Sequence, residues 1–316
     1  MVVPLRTVFA LLLLGFGLVA CGEDGAERGA EALPPLELPA PAGDALRIAV
    51  WNVEHLAAPG EDGCIERDAT DFAVIRRYLD GIEADVWLLQ EVESEATLAH
   101  VFGDEGWSFH VDRRPSRPGP ACREDPDRSL GMLRTAVVVR DGVDHRRLAD
   151  LAALDLDGDG RLRPGVHVRL TGDVRLDLLS IHLKSGCFEE RIGRTRYDCP
   201  ILFAQAEALE AWLDDLSAAG RAVVVGGDFN RRLEVEGDPI WAGLDDGDPV
   251  ALHLAGAGID PECDARYTEF IDFLLLNEAA RELQIEGSFQ EVTFDESWQR
   301  RPSDHCPLVV DLQPRS

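Results

Sequence analysis

A chain of 316 residues with 45% hydrophobic content can bury a sizeable core, which excludes a disordered polymer. Its 59 acidic residues against 31 basic ones give a formal net charge of −28. That balance excludes long-range attraction of polyanions, which could approach only where basic residues cluster or cations intervene.

The chain opens with Arg6 and an apolar run from Val8 to Val19, too short to span a membrane comfortably and placed where a signal-peptide core belongs. The run ends Leu18-Val19-Ala20-Cys21, which resembles a bacterial lipobox. Residues 1–20 are therefore expected to be a signal peptide and Cys21 a lipidated N-terminus; an ordinary signal peptide with Cys21 as a bystander is the lesser reading. Gly22 is not the Asp that often retains such lipoproteins at the inner membrane, so the resemblance implies the outer membrane or cell surface. Residues 21–44 are rich in Gly, Ala, Pro and Glu without apolar period and read as a flexible tether. The folded domain is expected over 45–316.

Within it, Leu46–Trp51 reads as a short buried strand ending in Asn52-Val53-Glu54. Asp68–Leu79 has helical spacing behind an acidic start, and Asp85–Leu89 is a second buried strand ending in Gln90-Glu91. Residues 94–102 suggest a short helix. Residues 112–134, rich in Pro and Arg, read as a loop longer than a purely structural connection needs. Thr135–Arg140 is a strand, and Val166–Leu170 with Val174–Leu183 suggest an antiparallel pair. Residues 200–219 show an amphipathic helix with Ile201, Ala204, Ala208, Leu209, Trp212, Leu213 and Leu216 on its apolar side. The β-branched run Val223–Val225 should stop at Gly226-Gly227, where the backbone can bend, and deliver Asp228 and Asn230. Phe270–Leu276 and Leu308–Leu312 complete the strands. Hairpins interrupt the alternation of strands and helices, which fits two mainly antiparallel sheets packed face to face with helices outside.

Six cysteines remain after Cys21: Cys64, Cys122, Cys187, Cys199, Cys263 and Cys306. An even number in an exported chain favours disulfides, with 15 possible connectivities that sequence cannot separate. Cys187–Cys199 is the best local pair, which leaves Cys64–Cys122 and Cys263–Cys306.

Polar groups stand repeatedly at strand ends: Asn52, Glu91, His182, Asp228 with Asn230, and Asp304-His305, with Asp272 inside an apolar strand. Oxygen donors such as Asn52, Glu91 and Asp304 suit a hard cation, Mg²⁺ or Mn²⁺. His182 and His305 suit contact with a phosphate or leaving group. Asp272 needs a partner, and His305 is the candidate. Taken singly, each has a plain structural reading: His182 a satisfied sheet histidine, Asp304 a turn residue, Asn52 a loop cap. Jointly the catalytic reading prevails.

Trp-Asn-Val-Glu at 51–54, Leu-Gln-Glu-Val at 89–92, Ile-His-Leu-Lys-Ser at 181–185, Gly-Asp-Phe-Asn at 227–230, Ile-Asp-Phe at 271–273 and Ser-Asp-His at 303–305 resemble the endonuclease/exonuclease/phosphatase superfamily. The resemblance runs from about Ala45 to the C-terminus and implies a four-layer α/β sandwich that hydrolyses phosphoesters with a divalent metal. It implies metal ligands at Glu91, Asn52 and Asp304, with Glu54 either an outer ligand or a surface carboxylate. It further implies that Asp228 orients the attacking water with Asn230, that His182 and His305 contact the phosphate, and that Asp272 supports His305. A nuclease acting on extracellular nucleic acid is the leading expectation. A phosphatase or phospholipase-type esterase, and a binding lipoprotein on a decayed scaffold, are the alternatives.

Arginines in an acidic chain suggest phosphate contacts. Candidates are Arg113, Arg114, Arg117, Arg123, Arg128 and Arg134 in the long loop, Lys184, Arg191, Arg194 and Arg196 after His182, Arg231 and Arg232 after Asn230, and Arg300 and Arg301 before Asp304. Arg134 and Lys184 lie nearest the strand ends. Asp155, Asp157 and Asp159 match the start of a calcium loop, but Val166 occupies its twelfth position, so an acidic turn is the stronger reading and a loose Ca²⁺ site the weaker.

Overall fold

The computed structural model describes residues 36, 38–41, 43–188, 198–295 and 301–314. The expectations for the leader, for Cys21, for most of the tether and for Arg191, Arg194, Arg196 and Arg300 lie outside them. Leu33–Ser316 form one compact unit, and none of the described helices is long and apolar enough to cross a membrane.

Twelve strands run in chain order. They are β1 (Leu46–Leu56), β2 (Val86–Val92), β3 (Trp107–Val111), β4 (Arg134–Arg140), β5 (His145–Arg147), β6 (Val166–Thr171), β7 (Arg175–His182), β8 (Val223–Asp228), β9 (Leu252–Leu254), β10 (Asp272–Asn277), β11 (Gln290–Glu291) and β12 (Leu308–Leu312). The helices are α1 (Ala69–Ile82), α2 (Glu95–Phe102), α3 (Asp198–Ala218), α4 (Pro239–Leu244) and α5 (Glu278–Arg281). One six-stranded sheet has the order β11-β12-β1-β2-β4-β3 and the other β5-β6-β7-β8-β10-β9. Among the described strands, only β1–β2 and β7–β8 are parallel pairs. A parallel pair needs a crossover, and helices α1 and α3 supply the two crossovers. Both pairs therefore end at the same edge of the sandwich, and antiparallel β10 and β12 begin there.

The central strands are buried on both faces, so their sequences are continuous apolar runs. Ile48 and Val50 face the inter-sheet core, while Ala49 and Trp51 face the layer under α1 and α2. Asp68 opens α1 with a reciprocal cap: its carboxylate accepts from the Thr70 and Asp71 amides, and the Asp71 side chain accepts from the Asp68 N–H. Helix α3 lies where expected, but its buried stripe is Leu202, Ala206, Leu209 and Leu213 rather than the one containing Ile201, Ala204 and Ala208. Ala208, Trp212 and Leu216 pack at the margin of that stripe.

The chain does not bend at Gly226-Gly227. Strand β8 continues through both to Asp228. A Cβ on Gly226 would lie 2.4 Å from Leu88 Cδ1 of the facing sheet, and one on Gly227 would lie 2.0 Å from the Ile181 carbonyl oxygen. The glycines permit close approach rather than a turn. The short edge strands β3, β5, β9 and β11 were not expected, because their composition is mixed and their burial partial. The six cysteines pair Cys64–Cys122, Cys187–Cys199 and Cys263–Cys306.

Candidate active site

Strand register assembles the site. His182 lies directly opposite Asp228 across β7–β8, and Asp272 opposite Asp228 across β10–β8. In the other sheet Asn52 pairs with Gln90 across β1–β2. Side chains two apart share a face, so those following the inward Ile48-Val50 and Val86-Leu88 positions also point between the sheets. Gln90 and Ser180 lock the sheets just beneath the site: Gln90 Nε2 donates to Ser180 Oγ at 3.2 Å, and Ser180 Oγ donates to the Leu89 carbonyl at 3.1 Å.

Glu91 breaks the alternation. The β2–β4 pairing shifts register between Leu89 and Val92, and Glu91 takes a positive φ of 64°. Such a bulge re-aims a side chain, and here Glu91 reaches the same cleft as Gln90's neighbours. Glu54 (φ 45°), His55 (φ 49°) and Asn230 (φ 52°) are also in the left-handed region. With Leu133 (φ 46°), five non-glycine residues in that region around one cleft mark strain held in place by surrounding contacts.

Asn52 bridges the acids. Its Nδ2 donates to Asp228 Oδ2 at 3.1 Å and to Glu91 Oε1 at 3.4 Å, while its Oδ1 accepts from the Glu54 amide at 3.1 Å. The other Glu91 oxygen accepts from the His55 amide at 3.0 Å. His182 Nε2 lies 3.5 Å from Asp228 Oδ2 and 3.8 Å from Glu91 Oε1. Asn230 donates its amide to Asp228 Oδ1 at 2.7 Å and its Nδ2 to the Leu183 carbonyl at 3.2 Å. His305 Nδ1 and Asp272 Oδ2 are 2.6 Å apart, which leaves His305 Nε2 for the cleft. Ser303 Oγ donates to the Asn52 carbonyl at 2.6 Å and accepts from the His305 amide at 3.1 Å, and Trp51 Nε1 donates to the His305 carbonyl at 2.8 Å. The segment carrying His305 is thereby fastened to β1.

Electrostatics separates the roles. Burial, then the Asp272 charge, pushes the Asp228 carboxyl up to about 7. Burial alone would lower His305, but the Asp272 charge and hydrogen bond carry it well above the usual histidine range. His182 is held well below that range by burial and by the Arg163 and His305 charges, so its imidazole is neutral. Burial, then Asp304, pushes Glu54 up.

Glu91, His182, Asp228, Asn230, Asp272 and His305 line one cleft of about 560 Å³, with Arg163, Phe188, Arg232, Arg266 and Tyr267 among its walls. Asp304 lies on its rim, its side chain 66% exposed and 3.7 Å from His305 Nε2. Of the sequence candidates, the structure brings His182, Asp228, Asn230, Asp272, His305, Glu91, Asn52 and Asp304 to this end of the sandwich. It does not bring Arg134 or Lys184 into the cleft lining. Arg134 bonds the Asp112 carboxylate, the Arg114 carbonyl and Ser116, and Lys184 pairs with Asp198 at 2.7 Å. Both cations are consumed in holding loops together. Arg231 is likewise spent on Asp238.

Arg163 and His55 escaped the sequence reading as site residues. Arg163 donates to the His182 and Leu183 carbonyls at 3.1 and 3.2 Å, and burial lowers it to about 10. The available signal was its position just before β6, the strand paired with the one ending in His182. In the 155–160 loop, Asp155 accepts from the Gly160 and Leu162 amides, and Asp159 pairs with Arg161. The loop closes on its own donors, as an acidic turn does.

Residues 49–305 match the Endonuclease/Exonuclease/phosphatase family. The chain belongs to that family. A comparison with curated protein sequences finds no match. Among solved structures, this family member is similar to the human Nocturnin catalytic domain with bound sulfate anion (16% identity, 87% of this chain and 97% of that one, TM-score 0.57). It is also similar to an AP endonuclease from Archaeoglobus fulgidus (14%, 84% and 99%, TM-score 0.56). A third is the 3′ phosphatase NExo from Neisseria bound to product DNA hairpin (17%, 85% and 100%, TM-score 0.55). At these identities the likeness is one of fold. Family members are hydrolases of phosphoester bonds, and that is the class to which this chain belongs.

Proposed function

We propose that this protein is a phosphodiesterase of nuclease type, assisted by Mg²⁺ or Mn²⁺. The observation that carries the reading is a buried carboxylate, Asp228, poised near neutrality beside a charged imidazole, His305, in one cleft. A base with a pKa near the working pH is the efficient one. Asp228 accepts the proton of a water whose oxygen attacks phosphorus, as the ester P–O bond on the opposite side breaks. Asn230 fixes the orientation of the Asp228 carboxylate. The His305 cation, held by Asp272, offers Nε2 to a phosphate oxygen, and Arg163 adds a second positive charge.

The donor set fits a hard divalent cation. Glu54, Glu91, Asp228, Asp272 and Asp304 crowd one end of the sandwich, where burial first and neighbouring carboxylates second push Glu54 and Asp228 up. Among the described residues, the ligand atoms of Asp228, Asp272 and His305 lie within 4.8 Å of one another, but two of these three are already spent on each other. Glu91, Asn52 and Asp304 remain the better-suited ligands, with Glu54 behind them. A bound cation would supply charge neutralisation at the phosphate.

Export as a surface lipoprotein is part of the same proposal. Its support is the leader ending at Cys21 and the three disulfides, which persist in oxidising compartments.

The test is a substrate panel offered to the purified full chain with Mg²⁺, Mn²⁺ or EDTA: supercoiled plasmid, RNA, bis-p-nitrophenyl phosphate, inositol phosphates and phospholipid head groups. Metal-dependent nicking of plasmid or cleavage of RNA supports the nuclease reading. Release of phosphate from monoesters alone moves the protein to the phosphatase class. Metal binding without turnover of anything would favour a binding protein.

A further inference from the structure

A second groove, of about 420 Å³, lies beside the candidate catalytic cleft. The two share Leu133 and Arg163 in their walls, so they are adjacent. Four arginines line the second groove: Arg114, Arg117, Arg161 and Arg163. In a chain of net charge −28, four guanidinium groups around one groove are a pronounced local reversal.

Their partners differ. Arg114 is buried and chelates Asp112, so it is a fixed wall. Arg163 donates to two backbone carbonyls rather than to a carboxylate, so among the described residues no direct ion pair compensates its charge. Arg117 is exposed and, among the described residues, its guanidinium has no ion-pair partner. Arg161 is exposed and, among the described residues, pairs only with the exposed Asp159, at 3.0 Å. Exposed pairs of that kind are worth about 1 kcal/mol or less and exchange readily for a better anion. Guanidinium groups match phosphate geometry with paired donors.

We infer that this groove binds a second phosphate of the same substrate molecule, through Arg117 and Arg161, while the scissile phosphate sits against His305 and Arg163. The inference rests on the phosphoesterase reading and deepens it: the preferred substrate carries more than one phosphate. Oligonucleotides and polyphosphorylated small molecules such as inositol bisphosphates share that chemistry.

Arg117→Ala, Arg161→Ala and the double variant test it, with Arg175→Ala as control. Arg175 is exposed at the start of β7, the opposite end from His182, and its loss makes the same change in net charge. All of these side chains are exposed, so the variants should fold. Two readouts are taken. The first is anisotropy of a fluorescein-labelled single-stranded oligodeoxynucleotide in EDTA, with an inositol bisphosphate as competitor. The second is kcat/KM with Mg²⁺ on the oligonucleotide, on the inositol bisphosphate, and on bis-p-nitrophenyl phosphate, which has a single phosphate.

Each arginine removed should weaken binding of the doubly phosphorylated probe about tenfold. For the oligonucleotide it should also flatten the log-affinity against log-salt slope by roughly 0.7. KM for that substrate should rise in step, while turnover of bis-p-nitrophenyl phosphate and the Arg175→Ala protein stay at wild-type values. A loss confined to one of the two substrates names the source of the phosphate. Wild-type binding by the double variant, or a loss no larger than that of Arg175→Ala, overturns the inference, as does an equal fall on bis-p-nitrophenyl phosphate. Absence of turnover by the wild type overturns the phosphoesterase reading instead, and the anisotropy arm still decides the groove.

Discussion

Asp228 and His305 have opposite electrostatic problems. Asp228 is buried beside another carboxylate, so its neutral form gains; His305 is buried beside Asp272, so its charged form gains. On the proposed mechanism, activity needs Asp228 ionised and His305 protonated. The rate should therefore rise as pH climbs through the Asp228 pKa and fall on the alkaline side as His305 loses its proton. Asp272→Asn removes the counter-charge of His305, so its alkaline limb should move to lower pH, which a pH–rate profile would reveal. A cation near Asp228 favours the carboxylate, so raising Mg²⁺ should move the acid limb down. Asp228 was legible in the sequence because it ends an apolar strand, and Asp272 and His305 because each stands at the entry to one. Arg163 was not, because its side chain is aimed by β6–β7 pairing rather than by anything local. Arg134 and Lys184 misled for the converse reason: proximity along the chain to a strand end says nothing about whether a loop carboxylate such as Asp112 or Asp198 claims the charge first.

Strands carry the site, and their close packing leaves little tolerance. At Gly227 the obstacle is the Ile181 backbone carbonyl, which cannot rotate away. Gly227→Ala should destabilise by about 3 kcal/mol, at the upper end for overpacking, as read by denaturant midpoint. Arg47 lies opposite Asp311 across β1–β12, where the two form a fully buried pair, and Arg47 also donates to the Ile82 carbonyl at the end of α1. Asp311→Ala strands that buried charge and should cost about 3–5 kcal/mol. Asp177 in β7 accepts from His167, Arg169 and Arg221. Burial opposes its charge, but these three donors outweigh burial and bring it to about 2 from an ordinary 3.8. The lowered pKa contributes stability above the ordinary value and loses it as pH falls through about 4 toward about 2. Acid unfolding of Asp177→Asn should be flatter across that window. The sequence displayed these strands as apolar runs, but the meaning of Gly226-Gly227 as a site of close approach required the facing Leu88 and the neighbouring Ile181.

At the scale of the molecule, all three disulfides tie loops at the catalytic end. Cys64–Cys122 joins the loops after β1 and β3, Cys187–Cys199 follows β7, and Cys263–Cys306 joins the loop before β10 to the residue after His305. The opposite end of the sandwich carries no disulfide among the described residues and is held by sheet packing with the buried Arg47–Asp311 pair and the Asp177 network. Reduction should therefore lower activity under conditions where far-ultraviolet circular dichroism still reports intact sheets. Simultaneous loss of both signals would show that the cross-links hold the core as well. The two-sheet architecture was readable from alternating hairpins and crossovers, whereas the short edge strands were not, since β3, β5 and β9 owe their conformation to a neighbouring strand more than to their own composition.

The most direct single measurement is turnover of bis-p-nitrophenyl phosphate by the full chain and its Asp228→Asn variant, each with Mg²⁺ and with EDTA. Loss of a positioned base should lower kcat by about 10²–10⁴-fold, with an unchanged thermal midpoint and with EDTA silencing the wild type. An Asp228→Asn protein that turns over like wild type, or a wild type indifferent to EDTA, would contradict metal-assisted hydrolysis at this cleft.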